Sequence, residues 1–249
     1  MVLRNGRDGV KIIDDLISSL REDTVVREVY TFVFWTAVIS KNCGLASTFR
    51  EEQPRHQGVV TEAGNLRGKS ALKLAEYAKS DNLLEASIGM ATLNSLIDVD
   101  ETNCVAKNAL DILTEKGKDK NIAVVGHFPW VSKLQKVAKR LWVLEQRPQA
   151  GDLPAEAAES ILPQADVVAI TGTSFINHTI EKLLDLSKAK FVVLVGPTSP
   201  MSPVLFDWGV DVISGVKVVE PGETIRSISE GAIFRQVKGV KLLNMVKRK

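Results

Sequence analysis

Residues 166–196, DVVAITGTSFINHTIEKLLDLSKAKFVVLVG, carry the clearest signal of the fold. Asp166–Thr171 and Phe191–Gly196 are short, almost continuously apolar runs rich in valine. Between them Ile176, Ile180 and Leu183 recur at helical spacing. Strand, helix and second apolar strand make a crossover unit, and strands apolar on both faces belong in a parallel sheet covered by helices. The same texture extends upstream. Asn121–Gly126 and Leu141–Glu145 read as strands, Trp130, Leu134 and Val137 as a helix face, and Pro154 as the first turn of another helix. Downstream, Val210–Ser214 and Val216–Val219 supply further strand material. The second half is expected to be a doubly wound, Rossmann-like α/β domain.

The chain changes character near Gly117–Asn121. Before that point, Val10, Ile13, Ile17 and Leu20 stripe a first helix. Arg27–Ser40 and Leu45–Arg50 read as extended segments that turn around Asn42-Cys43-Gly44. Residues 50–68 are polar and glycine-punctuated, hence a loop. Three helices follow, marked by Leu72, Ala75 and Ala78, by Ala86, Met90, Leu93 and Ile97, and by Val105, Ala109 and Leu113. A hairpin followed by packed helices is an α+β arrangement. Two domains are expected: residues 1–118, small and α+β, and residues 119–249, Rossmann-like and ligand-binding.

Composition removes several classes of function. With 249 residues, 45% hydrophobic and 25% charged, the chain has an ordinary globular mixture, which excludes disorder and fibrous repeats. No apolar run reaches the roughly 18 residues of a membrane span. Asp8, Asp14 and Asp15 stand where a signal peptide would need an apolar core, so a cytoplasmic protein is expected. A net charge of +2 demands no nucleic-acid partner. The basic residues Lys238, Lys241, Lys247, Arg248 and Lys249 read as a solvated terminus. Cys43, next to a strand, and Cys104, opening a helix, make neither a disulfide framework nor a zinc pair. Phe34 and Trp35 in an extended run suit either a core or a homo-oligomer interface.

In an open parallel sheet, ligands bind outside the carboxyl ends of the strands. Four loops are thereby selected: Gly126-His127-Phe128-Pro129, Glu145-Gln146-Arg147, Thr171-Gly172-Thr173-Ser174 and Gly196-Pro197-Thr198-Ser199-Pro200. Tight turns use the same residue types, yet four separate loops agree with the topological rule. Glu145 lies 19 residues after Gly126, near the spacing at which an acid meets a ribose hydroxyl, and reads equally as a surface acid or helix-cap partner. The first loop, however, reads GHFPW rather than GxGxxG, and no dinucleotide fingerprint exists. NAD and FAD are disfavoured. His127 is a candidate general base or metal ligand, or a turn residue bonded to backbone. Asn177, beside His178 in an expected helix start, is placed to turn towards the cleft. His56 falls in the polar loop. The histidines and cysteines form no ligand cluster by spacing, so no metal is assigned and a metal–chelate complex stays open.

The runs VVGHFPWV, VLEQRP, AITGTSFINHTIEKLLDL, VLVGPTSPMSPVLFDWGVDVISG and VVEPGE, in this order, resemble the putative heavy-metal chelation family of unknown function. CGLAST and EAGNLRGKSALKLAEYAKSDNLLEASIGMATLNSLID resemble its companion N-terminal domain, so the likeness spans roughly Lys11 to Gly239. It implies an enolase-N-terminal-like domain, then a Rossmann-like one partly similar to methyltransferases, with the site between them. It also implies condensation or hydrolysis in the making of pterins, flavins or siderophore-like chelators. Gly126, His127, Phe128, Glu145, Thr171, Gly172, Thr173, Asn177, Gly196, Pro197 and Thr198 would line one side, and Ile88–Asn94 the other. Asn94, on a mostly apolar helix, needs partners for its amide, either backbone or ligand. His127 and Glu145 are then the expected catalytic pair. The alternative is a non-catalytic carrier of a metal–chelate complex. An S-adenosylmethionine-dependent transferase ranks behind both, because the first loop lacks a glycine-rich turn.

Overall fold

A computed structural model describes residues 10–49, 60–105 and 107–247. His56 and the basic residues Arg248 and Lys249 lie outside the described residues. Helix α1 (Lys11–Ser18) buries Ile12, Ile13 and Leu16. Its buried stripe is shifted from the expected one: Val10 and Leu20 flank the helix, and Ile17 is half-buried.

Strands β1 (Glu28–Thr31), β2 (Trp35–Ile39) and β3 (Cys43–Ser47) form an antiparallel meander. The single extended run expected over 27–40 is in fact a hairpin. The Phe32 N–H donates to the Trp35 carbonyl at 2.8 Å and reverses the chain at Phe32-Val33-Phe34. Trp35 is core, packed on Phe234 and donating its Nε1–H to the Ala232 carbonyl at 2.9 Å, whereas Phe34 is 46% exposed.

Helix α3 (Leu83–Leu96) covers the other face of this sheet, and α2 (Ala71–Ala75) packs on α3. Ser70 and Asn82 cap them, each accepting backbone N–H groups of the first turn. Helix α3 is buried on nearly every side, which explains why its apolar residues show no single stripe.

The next element corrects an expectation. Cys104 and Val105 open no helix. They form strand β4 (Cys104–Val105), and helix α4 (Ala109–Gly117) starts only after the Asn108 cap. Ile112 and Leu113 of α4 pack on Ile122 and Val124, so packing places these residues with the second half of the chain.

The larger sheet contains β4, β5 (Asn121–Val125), β6 (Arg140–Glu145), β7 (Leu153–Pro154), β8 (Val167–Thr171), β9 (Phe191–Val195), β10 (Val212–Val218) and β11 (Val240–Val246). Its order is β4-β11-β10-β9-β8-β5-β6-β7, parallel from β10 to β7 and antiparallel at β11 and β4. Side chains alternate along the central strands. Ile122, Val124, Val167 and Ala169 face α4 and α5 (Val131–Leu134). Ala123, Val168 and Ile170 face α6 (Ala158–Ile161), α7 (Ile180–Leu186) and the first half of the chain, in one continuous core. The protein is thus a mixed α/β fold: a small antiparallel sheet with helices, and a mostly parallel doubly wound sheet. Among the described residues, no helix is long and apolar enough to cross a membrane.

Three local readings change. Pro154 ends a two-residue strand ahead of a 3-10 turn rather than opening a helix. The two segments expected near residues 210–219 are the single strand β10, which helix α8 (Pro221–Ser229) follows. Lys241 belongs to β11 rather than to a solvated tail. It stands directly across from Lys217 of β10, a repulsive pairing that Glu101 relieves. One Glu101 oxygen lies 2.9 Å from Lys217 Nζ and the other 2.5 Å from Lys241 Nζ.

These two lysines pull the Glu101 carboxyl down from 4.5 to about 2. A depressed folded-state value means that the contribution of the triad is complete above the ordinary glutamate range. It is lost as pH falls towards about 2. A carbon-detected NMR titration should find Glu101 titrating near 2; a midpoint in the ordinary range would show that the triad does not form in solution.

Candidate functional site

The carboxyl ends of β6, β5, β8 and β9 are neighbours in the sheet and bring the four loops into one row. At β5, Gly126 adopts φ +101°, a left-handed turn that also keeps its Cα side clear of Thr171 on β8. The chain then presents His127 to solvent. Its backbone N–H donates to Glu145 Oε2 at 3.0 Å. The other Glu145 oxygen accepts the Gln146 N–H at 2.7 Å. Glu145 therefore clamps the β5 and β6 loops together, with a backbone amide on each oxygen.

The His127 ring has a partner that the sequence did not reveal. Nδ1 lies 2.9 and 3.1 Å from the two oxygens of Asp152. The Asp152 side chain is only 4% exposed and also accepts the Gln149 N–H at 3.0 Å. A carboxylate accepts, so in the neutral ring Nδ1 carries the proton and Nε2 the lone pair. The His127 side chain is 32% exposed, which leaves that nitrogen reachable. Beside it, the Phe128 and Trp130 rings stack at 4.7 Å and 8°.

At β8, the Thr171 and Thr173 hydroxyls pair at 3.0 Å, and Ser174 Oγ donates to the Thr171 carbonyl at 2.7 Å. Gly172 is required by contact: a Cβ there would come within 2.5 Å of the Ser199 nitrogen. Asn177 spends Oδ1 on the N–H and hydroxyl of Thr179, 3.2 and 2.7 Å away, so its carbonyl serves the turn before α7 rather than the cleft. His178 points to the first half of the chain, with Nε2 2.8 Å from the Ala78 carbonyl.

At β9, Gly196 turns with φ +117°, and Pro197 and Thr198 run against the small sheet. The buried Thr198 hydroxyl accepts the Ser47 N–H of β3 at 2.9 Å. Asn94 of α3 donates Nδ2 to the carbonyls of Leu45 and Thr198, at 3.0 and 3.2 Å. Thr198 and Asn94 thus join the two sheets. They stand on the far side of the Thr171–Thr173 turn from His127.

Metal binding can be judged from the donors. Among the described residues, no group of three or more His, Cys, Asp or Glu is placed to hold an ion. His127, oriented by Asp152, offers one imidazole ligand, which fits a metal carrying its own chelator. Cys43 is no nucleophile: burial pushes its thiol up to about 11.

Comparison with known proteins agrees with this architecture. Residues 108–247 match a family described as putative heavy-metal chelation, and residues 13–97 match a second family of the same description. An uncharacterized protein of Methanocaldococcus jannaschii is 30% identical over 225 residues, 83% of either chain. A crystal structure of a protein of unknown function from Desulfitobacterium hafniense superposes with a TM-score of 0.83 at 29% identity, over 98% of this chain and 100% of that one. Another, from Pyrococcus horikoshii and also of unknown function, gives 0.81 at 20% identity over 96% and 99%, a likeness of fold.

Proposed function

We propose that this chain, which belongs to the putative heavy-metal chelation family, binds a small heterocyclic or chelating molecule at the carboxyl ends of β5, β6 and β8 and acts on it through His127. The observation that carries this reading is the His127–Asp152 pair. Asp152 fixes the tautomer, so Nε2 is a ready proton acceptor from an N–H or O–H of the bound molecule. The imidazolium that forms is stabilised by the same carboxylate. Glu145 sets the height of the ring by holding the His127 N–H. The Thr171 and Thr173 hydroxyls offer polar contacts on the β8 side. Proton transfer of this kind serves condensation or hydrolysis of a heterocyclic or chelator precursor.

A second reading rests on the same pair. A carboxylate on Nδ1 is also the arrangement that orients a metal-bound imidazole. A carrier would let Nε2 complete the coordination of a metal that arrives in a chelate. An S-adenosylmethionine-dependent transferase is favoured by neither, since residues 126–130 lack a glycine-rich turn.

Thermal unfolding against a panel separates them: S-adenosylmethionine, NAD, flavins, pterins, and transition metals with and without chelators. A ligand at about 100 times its dissociation constant adds roughly 2.7 kcal/mol, which for a chain of this size raises the midpoint by about 5–11 °C. A rise with a pterin, flavin or free chelator that is lost in His127→Ala is the expected result. A rise only with the metal-loaded chelate selects the carrier. A rise that His127→Ala leaves intact would refute both.

A further inference from the structure

A cavity of about 120 Å³ opens between β3, the end of α3 and β10, on the far side of the Thr171–Thr173 turn from His127. That volume is well above the ~10–15 Å³ that one water needs. Its walls divide by chemistry: Leu45, Pro197 and Val218 are apolar, whereas Asn94, Asp98 and Lys217 bring an amide, a carboxylate and an ammonium. The amide is the informative group. Asn94 Nδ2 is used by the Leu45 and Thr198 carbonyls, which fixes which end is which, and Oδ1 is buried without a hydrogen-bond partner among the described residues. A buried acceptor of this kind calls for a donor.

We propose that this cavity binds the aminocarboxylate group of a free α-amino acid. The amino group donates to Asn94 Oδ1. The carboxylate accepts from Lys217, and a short apolar stem lies on Pro197. Both charged walls are already neutralised outside the cavity. Lys41 pairs with Asp98 at 2.6 Å and Glu101 with Lys217 at 2.9 Å, so a zwitterion, rather than a lone cation or anion, leaves the local charge balanced. The proposal does not depend on His127 acting as base or ligand.

Calorimetric titration of the full chain with alanine, ethylamine and propionate tests it. Alanine should bind, and the amine or acid alone should bind at least about tenfold more weakly, as expected when one charge-assisted contact is missing. Lys217→Met should remove alanine binding. Glu101→Gln, which breaks the outer pair and leaves the cavity wall intact, should retain it. So should His127→Ala, and its behaviour keeps this test apart from that of the dyad. No binding of alanine up to its solubility limit, equal binding of the amine or the acid, or undiminished binding by Lys217→Met would each overturn the proposal.

Discussion

Alanine at Gly44 or at Gly89 is expected to lower the unfolding midpoint by about 6–12 °C, corresponding to a loss of about 3 kcal/mol. Both glycines serve the seating of α3. A Cβ on Gly44 of β3 would fall on the Ala91 carbonyl oxygen and the Ser95 nitrogen, well under the 3.0 Å that real Cβ atoms keep. A Cβ on Gly89 would fall on the backbone of Tyr77 and Ala78, equally close. Backbone cannot rotate away as a side chain does, so α3 must move off the neighbour it touches. It cannot do so freely, because it is held between β3 and residues 76–79. Gly222, with no described residue near its Cα side and an ordinary φ, is the control, and alanine there should change stability by less than about 1 kcal/mol. Urea unfolding of the three variants reads this directly. A Gly44→Ala protein as stable as the wild type would mean that α3 does not sit on β3 at this distance.

The second large effect falls on the site. Asp152→Asn should weaken binding, or slow turnover, of whatever ligand the thermal panel identifies by about 10–100-fold. The substitution keeps the volume and removes the charge. It also lets the amide offer an N–H to Nδ1, which favours the tautomer with its proton on Nε2 and so occupies the lone pair that does the work. His127→Ala should remove the effect of the ligand altogether. The folded state should tolerate both changes, because the His127 ring reaches solvent and the loop retains the Glu145 clamp. Equal affinity in wild type and Asp152→Asn would show that the carboxylate does not orient the ring.

Much of this was legible in the sequence, for a physical reason. The parallel strands β5, β6, β8 and β9 are buried on both faces, so burial writes itself as unbroken apolar runs such as VVAI and FVVLV. Their carboxyl ends named the loops, and His127 with them. Strand β11 was hidden because it lies near the sheet edge, where Lys241 and the 61% exposed Leu242 break the pattern. Asp152 was hidden for another reason. It is held over His127 by β7, a strand of two residues, far too short for any periodicity to announce. The role of Asn94 was half legible. An amide on an apolar helix had to be bonded, and only packing shows that it bridges Leu45 and Thr198 while leaving Oδ1 over.

The nitrogen NMR spectrum of the His127 ring puts the dyad itself to the test, recorded without ligand and with the molecule that raises the unfolding midpoint. The expected result is a protonated Nδ1 and a lone-pair-bearing Nε2 in the free protein, with the Nε2 signal alone moving strongly on binding, towards the imidazolium position for proton transfer or the metal-bound position for a chelate. A proton on Nε2 in the free protein, or an Nε2 signal that stays in place while the ligand binds, would contradict it.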